Sequence, residues 1–240
     1  MISYRETKKF YETTPAWDKN DVYGQLTPVY FANFVEKELD SICVTDSMKV
    51  LNAGSGGREY YSKGIQFHVD LAESKLKGKK NAVVANVINL PYVDDCFDVI
   101  LLVGCVLSYC EVDKTFRELS RVLKPGGYII ADYERSGSAA LPFFLRNLDV
   151  FQARYKYVGK THKSYLFSDK YIVRMLEKNH LQKLQSMRCN VIYAMMCWFV
   201  PQRIMKKFYS KDPTLSKNKF WRRFAQNEIF IAKKGDVVLR

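Results

Sequence analysis

Five short apolar runs constrain this chain most: "MKVLNA" (48–53), "IQFHVD" (65–70), "NAVVAN" (81–86), "FDVILLVG" (97–104) and "YIIADYE" (128–134). Runs of Val, Ile and Leu that stay apolar at successive positions suit strands buried on both faces, as in a parallel sheet with helices on either side. They alternate with helical or loop stretches, so the expected architecture is a doubly wound, Rossmann-like α/β sheet. Between the fourth and fifth runs, "DKTFRELSRVLKPGG" (113–127) places Phe116, Leu119 and Leu123 on one helical stripe. Pro125-Gly126-Gly127 is expected to stop that helix and turn the chain into the next strand. "LTPVYFANFVEKEL" (26–39) reads as a helix with Thr27 as N-cap and Pro28 at its first position, and "SDKYIVRMLEKNHL" as a helix capped by Ser168. "NEIFIAKK" (227–234) reads as a final strand, whereas residues 136–165 carry aromatic and basic residues with no clear strand. The latter segment is expected to be an insertion over the ligand end of the sheet.

With 240 residues, one domain with a full core is expected. Its parts would be N-terminal lid helices (1–45), a ligand-binding core (46–135), the insertion or lid (136–165) and a basic C-terminal part with the last strands (166–240). The longest candidate apolar stretch, Val191 to Val200, ends at Pro201 and falls short of the roughly 18 residues of a membrane span. "MISYRETKKFYETT" lacks the apolar core of a secretory signal, which predicts a cytoplasmic protein. The six cysteines include no C-x-x-C pair, and they are expected to be reduced core thiols with no metal site. Residues 151–240 hold 20 Lys/Arg against 5 Asp/Glu, whereas residues 1–150 hold 18 against 20. Such a field recruits anions: phosphates, nucleic acid or an acidic membrane surface; a merely solvated basic face is the plainer alternative.

The first apolar run leads directly into Gly54-Ser55-Gly56-Gly57. Glycines here let backbone N–H groups approach a ligand at the carboxyl end of a strand, where doubly wound sheets bind ligands. The turn lacks the Gly-Lys-Ser/Thr of a P-loop, and Glu59 stands where a dinucleotide fingerprint needs a third small residue. Asp70 ends the second run sixteen residues after Gly54, placed to accept hydrogen bonds from both ribose hydroxyls of a nucleoside. Asn86 closes the third run, where an amide can meet the edge of an adenine.

On "VLNAGSGG", "VDLAESKL", "ANVINLPYVDDCFDVILL" and "RELSRVLKPGGYIIADYE" the sequence resembles the class I S-adenosylmethionine-dependent methyltransferases, with good coverage from about residue 48 to 134. The resemblance implies a seven-stranded sheet, mostly parallel with one antiparallel strand and helices on both faces, and S-adenosylmethionine across the strand ends. On that pattern Gly54 and Gly56 approach the methionine portion, Asp70 the ribose and Asn86 with Val87 the adenine. Val103 and Gly104 face the sulfonium and the acceptor, and Asn52, Ser55 and Leu71 complete the expected cofactor set. Three departures stand out: Asn52 where the family has Asp or Glu, Asn86 where it has Asp, and a short link "REYYSKG" (58–64) where it has a three-turn helix. One or two turns fit that link, with Tyr60 and Tyr61 over the sheet edge or the cofactor. "NLPY" (89–92) looks like the box of adenine-amino methyltransferases, but it precedes the fourth strand instead of following it and reads as a loop.

Methyl transfer from a sulfonium asks the protein chiefly for positioning and desolvation. Candidates for chemistry are Ser108, Tyr109 and Cys110 after the fourth strand, Tyr133 and Glu134 at the end of the fifth, and His162 in the insertion beside Lys160 and Lys163. Tyr109 and His162 lead as catalytic candidates; His68 reads as core and His180 as a helix end. The leading expectation is a methyltransferase acting on O, N or C of a small, anionic acceptor. Two alternatives remain: an RNA methyltransferase docking through the basic C-terminal third, and a cofactor-binding protein without catalysis. "VPQRIMKKFYSKDPTLSKNKFWRRF" (200–224) suits RNA, or peripheral contact with an anionic bilayer through Trp198 and Phe199.

Overall fold

A computed structural model describes residues 4–15, 17–18, 20–157 and 159–235; the ends of the expected N-terminal lid (1–3) and basic C-terminal part (236–240) lie outside the described residues. Helices α1 (Tyr4–Glu12) and α2 (Val22–Ser41) precede strands β1 (Lys49–Ala53), β2 (Ile65–Asp70), β3 (Ala82–Val84) and β4 (Phe97–Leu102). Then come α3 (Val112–Val122), β5 (Leu123–Glu134), the hairpin β6 (Val150–Tyr157) and β7 (Lys160–Phe167), and α4 (Asp169–Lys178). The chain closes with β8 (Leu181–Cys189), short helices α5 (Val191–Met196), α6 (Gln202–Phe208) and α7 (Asp212–Lys217), and β9 (Asn227–Lys234).

The sheet order is β3-β2-β1-β4-β5-β9-β8, with β9 antiparallel to both neighbours. Successive residues of the central strands are buried because each sheet face is covered. Val50, Val99, Leu101, Ile130, Ile229 and Ile231 pack under Phe31, Phe34, Val35 and Leu39 of α2, with Tyr60 and Tyr61 in the same layer. Leu51, Ile100, Leu102, Ile129 and Phe230 pack under Phe116 and Leu119 of α3 and Ile172 and Leu176 of α4. Each such aliphatic or aromatic side chain contributes about 1.5–3 kcal/mol when fully buried.

Several local expectations are corrected. Helix α2 begins at Val22 with Asp21 as its cap, its carboxylate accepting from the Gly24 amide (3.3 Å). Pro28 lies inside the helix, and Thr27 is fully buried with its hydroxyl oxygen accepting from Asn190 (2.9 Å). Leu123, already extended, ends α3 and starts β5 by pairing with Phe97, so Pro125-Gly126-Gly127 forms a bulge within the strand. Gly126 has φ +75°, and a Cβ at Gly127 would stand 2.9 Å from the Asp98 carbonyl oxygen, so both glycines are required. The 136–165 segment contains most of a regular hairpin, whose register pairs Val150 with Phe167. The "REYYSKG" link forms bends with no helical turn. Cys43 is exposed, unlike Cys105, Cys110 and Cys189, which are buried.

Candidate functional site

Strand β1 ends against β2 and β4, so the glycine turn opens at the centre of the sheet. Gly54, Gly56 and Gly57 have φ of +66°, +55° and +80°, and a Cβ at Gly54 would stand 2.7 Å from Val106 Cγ1. The Gly54 amide donates to the Val69 carbonyl (2.7 Å) and the Gly56 amide to Asp70 Oδ2 (2.8 Å). Asp70 Oδ1 accepts from the Ala72 amide (2.9 Å), so the acid at the end of β2 braces the turn and its own following bend. Burial raises its pKa.

At the end of β4, Gly104 has φ +114° and Cys105 φ +61°. Asp132 of β5 holds this turn: its carboxylate accepts from the Gly104 amide (2.7 Å) and the Cys105 amide (3.0 and 3.1 Å). Burial pushes Asp132 up to about 6. A Cβ at Gly104 would stand 3.6 Å from Tyr60 Oη and 3.9 Å from Trp17, in ordinary contact with the two aromatic walls.

These turns border a narrow cleft of about 80 Å³. Gly54, Ser55, Gly56, Asp70, Leu71, Asn86, Val87, Val103 and Gly104 all line it, joined by Lys75, Val106 and Cys110. Asn52 does not line it. Its side chain is buried toward β2, where Nδ2 donates to Gln66 Oε1 (2.9 Å) and to the Phe67 carbonyl (3.3 Å). Both acceptors lie on β2, so Asn52 is corrected from cofactor contact to a residue that ties β1 to its neighbouring strand. Asn86 lines the cleft while its Oδ1 accepts from the Ile88 amide (3.2 Å), which sets the turn after β3.

Helix α1 lies over the cleft, with Thr7 and Tyr11 in its wall. Glu12 accepts from the amides of Glu73 (2.9 Å) and Ser74 (3.2 Å), Lys75 donates to the Thr14 carbonyl (2.7 Å), and Lys160 to Thr13 Oγ1 (2.8 Å). The helix is thus tied to the bend after β2 on one side and to the hairpin on the other.

Beyond Tyr11, Trp17, Gly104 and Tyr109, which both cavities share, lies a roomier cavity of about 560 Å³. Its wall includes Tyr23, Phe151, Tyr193 and Trp198, with the ionisable groups of Asp21, Glu134, Arg154 and His162. Glu134 Oε1 accepts from Tyr23 (3.3 Å) and Oε2 from Ser164 (3.4 Å), while Asn227 donates to the Tyr23 oxygen (2.9 Å). Burial pushes Glu134 up to about 7. Tyr109 is held neutral by burial, and its ring stands edge-on to Tyr11 at 5.4 Å. His162 packs between the rings of Phe10 (4.9 Å) and Tyr109 (5.8 Å), and burial lowers its pKa so that the neutral imidazole prevails.

The structure therefore brings Tyr109, His162 and Glu134 to one cavity. Tyr133 points to the other sheet face, where its hydroxyl donates to Asp169 (2.9 Å), and Ser108 is buried away from both cavities. His68 is buried with Nε2 3.3 Å from Glu59, and His180 has φ +58° just beyond α4. Asp132, Trp17 and Tyr23 were not anticipated as site residues. The only sequence cue for Asp132 was a carboxylate inside an otherwise apolar strand, where burial demands a partner.

Residues 56–131 match the family model described as "Methyltransferase domain". The ubiquinone/menaquinone biosynthesis C-methyltransferase UbiE of Vibrio campbellii is 35% identical over 102 residues, which are 34% of this chain and 39% of that protein. The chain thus spans about two-fifths of the length of that curated relative. Among solved structures, the PH0226 protein of Pyrococcus horikoshii superposes with a TM-score of 0.59 at 12% identity, covering 95% of this chain and 99% of that one. A Burkholderia thailandensis 1,6-didemethyltoxoflavin-N1-methyltransferase, solved with its substrate and S-adenosylhomocysteine, gives a TM-score of 0.52 at 14% identity, covering 98% and 84%. Sheet order, glycine turn and the methyltransferase-domain match over residues 56–131 agree with one another, and together they resemble the class I S-adenosylmethionine-dependent methyltransferases.

Proposed function

We propose that the protein transfers a methyl group from S-adenosylmethionine to a small conjugated acceptor held in the wide cavity. One observation carries this reading: the narrow cleft and the wide cavity meet at Gly104, with the carboxyl of Glu134 in the wall beyond it. The cleft suits the nucleoside, because Gly104 presents no side chain to it, Gly54 packs its backbone closely on Val106, and Asp70 keeps oxygen lone pairs for ribose hydroxyls. Gly54, Ser55 and Gly56 would hold the amino-acid end, Asp70 and Leu71 the ribose, and Asn86 and Val87 the base. When bound, the cofactor supplies an already activated methyl group.

The chain's own residues then position the acceptor and manage its proton. Tyr11, Trp17, Tyr23 and Tyr109 offer flat apolar surface to a ring and exclude water. Glu134, poised near neutral pH, accepts a proton from an acidic O–H, N–H or C–H of the acceptor, and Tyr23 and Ser164 steady its charged form. His162, kept neutral, orients the ring or serves as a second base. The expected negative charge on the acceptor finds cations just past His162, where Lys9, Arg154, Lys160 and Lys163 line the outward continuation of the cavity. C-methylation by UbiE and N-methylation by the Burkholderia enzyme fit an acceptor that reacts at a ring atom.

Calorimetry with S-adenosylhomocysteine tests the cofactor half. Micromolar binding that is lost in Asp70→Ala is expected, and no binding at millimolar nucleoside overturns the reading. Incubation with labelled S-adenosylmethionine and a panel of phenols, quinols and heteroaromatic acids tests the other half. Cofactor binding with no transfer to any of them would favour a binding protein without catalysis.

A further inference from the structure

The wide cavity opens between two loops whose tips are apolar. In the first, Phe143 and Phe144 sit on a short 3₁₀ turn at 85% and 79% exposure, beside Ala140, Leu141, Pro142 and Leu145 of the cavity wall. In the second, Trp198 and Phe199 follow α5 at 68% and 86% exposure, and Trp198 also lines the cavity. Trp198 Nε1 donates to the Ala140 carbonyl (2.7 Å), which fixes the two tips side by side. Arg146, the cation nearest the first tip in sequence, is turned inward, donating to the carbonyls of Leu141 (2.8 Å) and Ala139 (3.3 Å). The tips are therefore built, apolar and without charge of their own.

Cations flank them. Residues 201–223 contain eight Lys/Arg and one acidic residue, Asp212. Asp212 is buried, its carboxylate accepting from the amides of Asn190 (3.0 Å) and Ile192 (2.8 Å). Arg203, Lys206, Lys207, Lys211, Lys217, Lys219, Arg222 and Arg223 are all exposed, and none makes an ion pair with another described residue. The Ala139 amide donates to the Phe224 carbonyl (3.0 Å), so Arg222 and Arg223 adjoin the first tip, while α6, with Lys206 and Lys207, follows the second.

We propose that this face docks on an anionic lipid bilayer, with Phe143, Phe144, Trp198 and Phe199 in the headgroup–acyl boundary and the cations of 203–223 on the headgroups. Aromatic tips surrounded by unpaired Lys and Arg match such a surface in both polarity and charge. A nucleic-acid groove would present its rings among the cations as stacking platforms, as Phe220 does beneath Arg223 (4.7 Å); the Phe pair instead stands on a turn whose own arginine is tied to the carbonyls of Leu141 and Ala139. No helix among the described residues is long and apolar enough to cross a membrane, so the contact is peripheral. The cavity mouth would then face the lipid, giving amphiphilic acceptors a direct way in.

The test is co-sedimentation of the full chain with phosphatidylcholine vesicles, with and without about one-third phosphatidylglycerol, and a tRNA gel-shift in the same buffer. Binding to the anionic vesicles is expected, weakened by salt. The triple variant Phe143→Ser, Phe144→Ser, Phe199→Ser should lower it by about tenfold or more, and Lys206→Glu with Lys207→Glu should also weaken it. Unchanged thermal unfolding and S-adenosylhomocysteine affinity would show the variants to be folded. Three results overturn the proposal: no vesicle binding, vesicle binding indifferent to the three serines, or tRNA binding with none to vesicles. Because the assay needs neither cofactor nor turnover, its failure is separate from failure of the methyltransferase reading.

Discussion

In the proposed mechanism Glu134 is the residue on which the proton transfer turns. Its carboxyl, pushed up to about 7 by burial, must be ionised to take a proton. The second-order rate with an acceptor that must lose a proton should therefore rise with pH and level off above about 7. Glu134→Gln should lower that rate by about 10²–10⁴ and remove the pH limb while leaving S-adenosylhomocysteine affinity intact; an unaltered pH profile would assign the base elsewhere. Gly54 is the strictest backbone position of the cleft, since a Cβ there meets both φ strain and Val106. Gly54→Ala should destabilise the fold by about 1–3 kcal/mol in urea unfolding. Adding Val106→Ala should recover the steric part and leave the backbone part, so full recovery would refute the strain. Asn52 shows how structure reverses an inference from sequence. Restoring the family's acid would suggest tighter cofactor binding, but Asn52→Asp points a carboxylate at the oxygens of Gln66 and Phe67. A loss of about 1–3 kcal/mol in stability with no gain in nucleoside affinity is expected.

Among elements, the ends of β5, α4, β8 and β9 meet at one buried ionic knot. Arg135 donates to Asp169 (2.9 and 2.8 Å) and to the carbonyls of Arg223 (3.1 Å) and Ala225 (2.9 Å). Glu228, buried in β9, accepts from Lys183 and from Arg188 (2.7 Å) of β8. Removing Arg135 leaves two carboxylates short of their counter-charge, so Arg135→Leu should lower unfolding free energy by about 3–5 kcal/mol in denaturant titration. None of this knot was legible in the sequence, because its members lie on four elements and each alone looks like a surface charge. The strands β1 to β5 and β9 were legible, since the central ones are buried on both faces and the pair nearest one edge, β2 and β3, still carry short runs with Val and Ile. Strand β8 was not: at the sheet edge it mixes buried Leu181 and Cys189 with exposed polar residues. The β6–β7 hairpin hid for the same reason, as a two-stranded ribbon packs only part of one face through Ala153 and Leu166. In the site, glycines and Asp70 could be read because their chemistry is local. Glu134 was visible only as a strand end, for its partners Tyr23 and Ser164 come from two distant segments.

Across the whole molecule, the carboxyls buried at the cavity and those in the ionic knot pull stability in opposite directions with pH. Asp132 and Glu134 titrate near 6 and 7 in the folded protein, above their ordinary carboxylate range. Between about pH 4 and 7 the folded state holds more protons than the unfolded chain, so raising pH through that window destabilises, by at most about 1.4 kcal/mol per pH unit for each group. Asp169 has the opposite sign. Burial alone would raise it, but the hydrogen bonds and charge of Arg135 pull it down to about 2. Its contribution is complete above the unfolded value near 4 and is lost as pH falls toward 2, where the net positive charge of +13 also grows. Unfolding midpoints in urea should therefore peak near pH 4, falling on the acid side toward about pH 2 and on the other side up to about pH 7. The variant carrying Asp132→Asn and Glu134→Gln should lose most of the decline from about pH 4 to about pH 7 and keep the acid limb, whereas Arg135→Leu should flatten the acid limb. A wild-type midpoint that climbs steadily from about pH 4 to about pH 7 would mean that water reaches the two cavity acids freely, and Glu134 would then be charged throughout the neutral range.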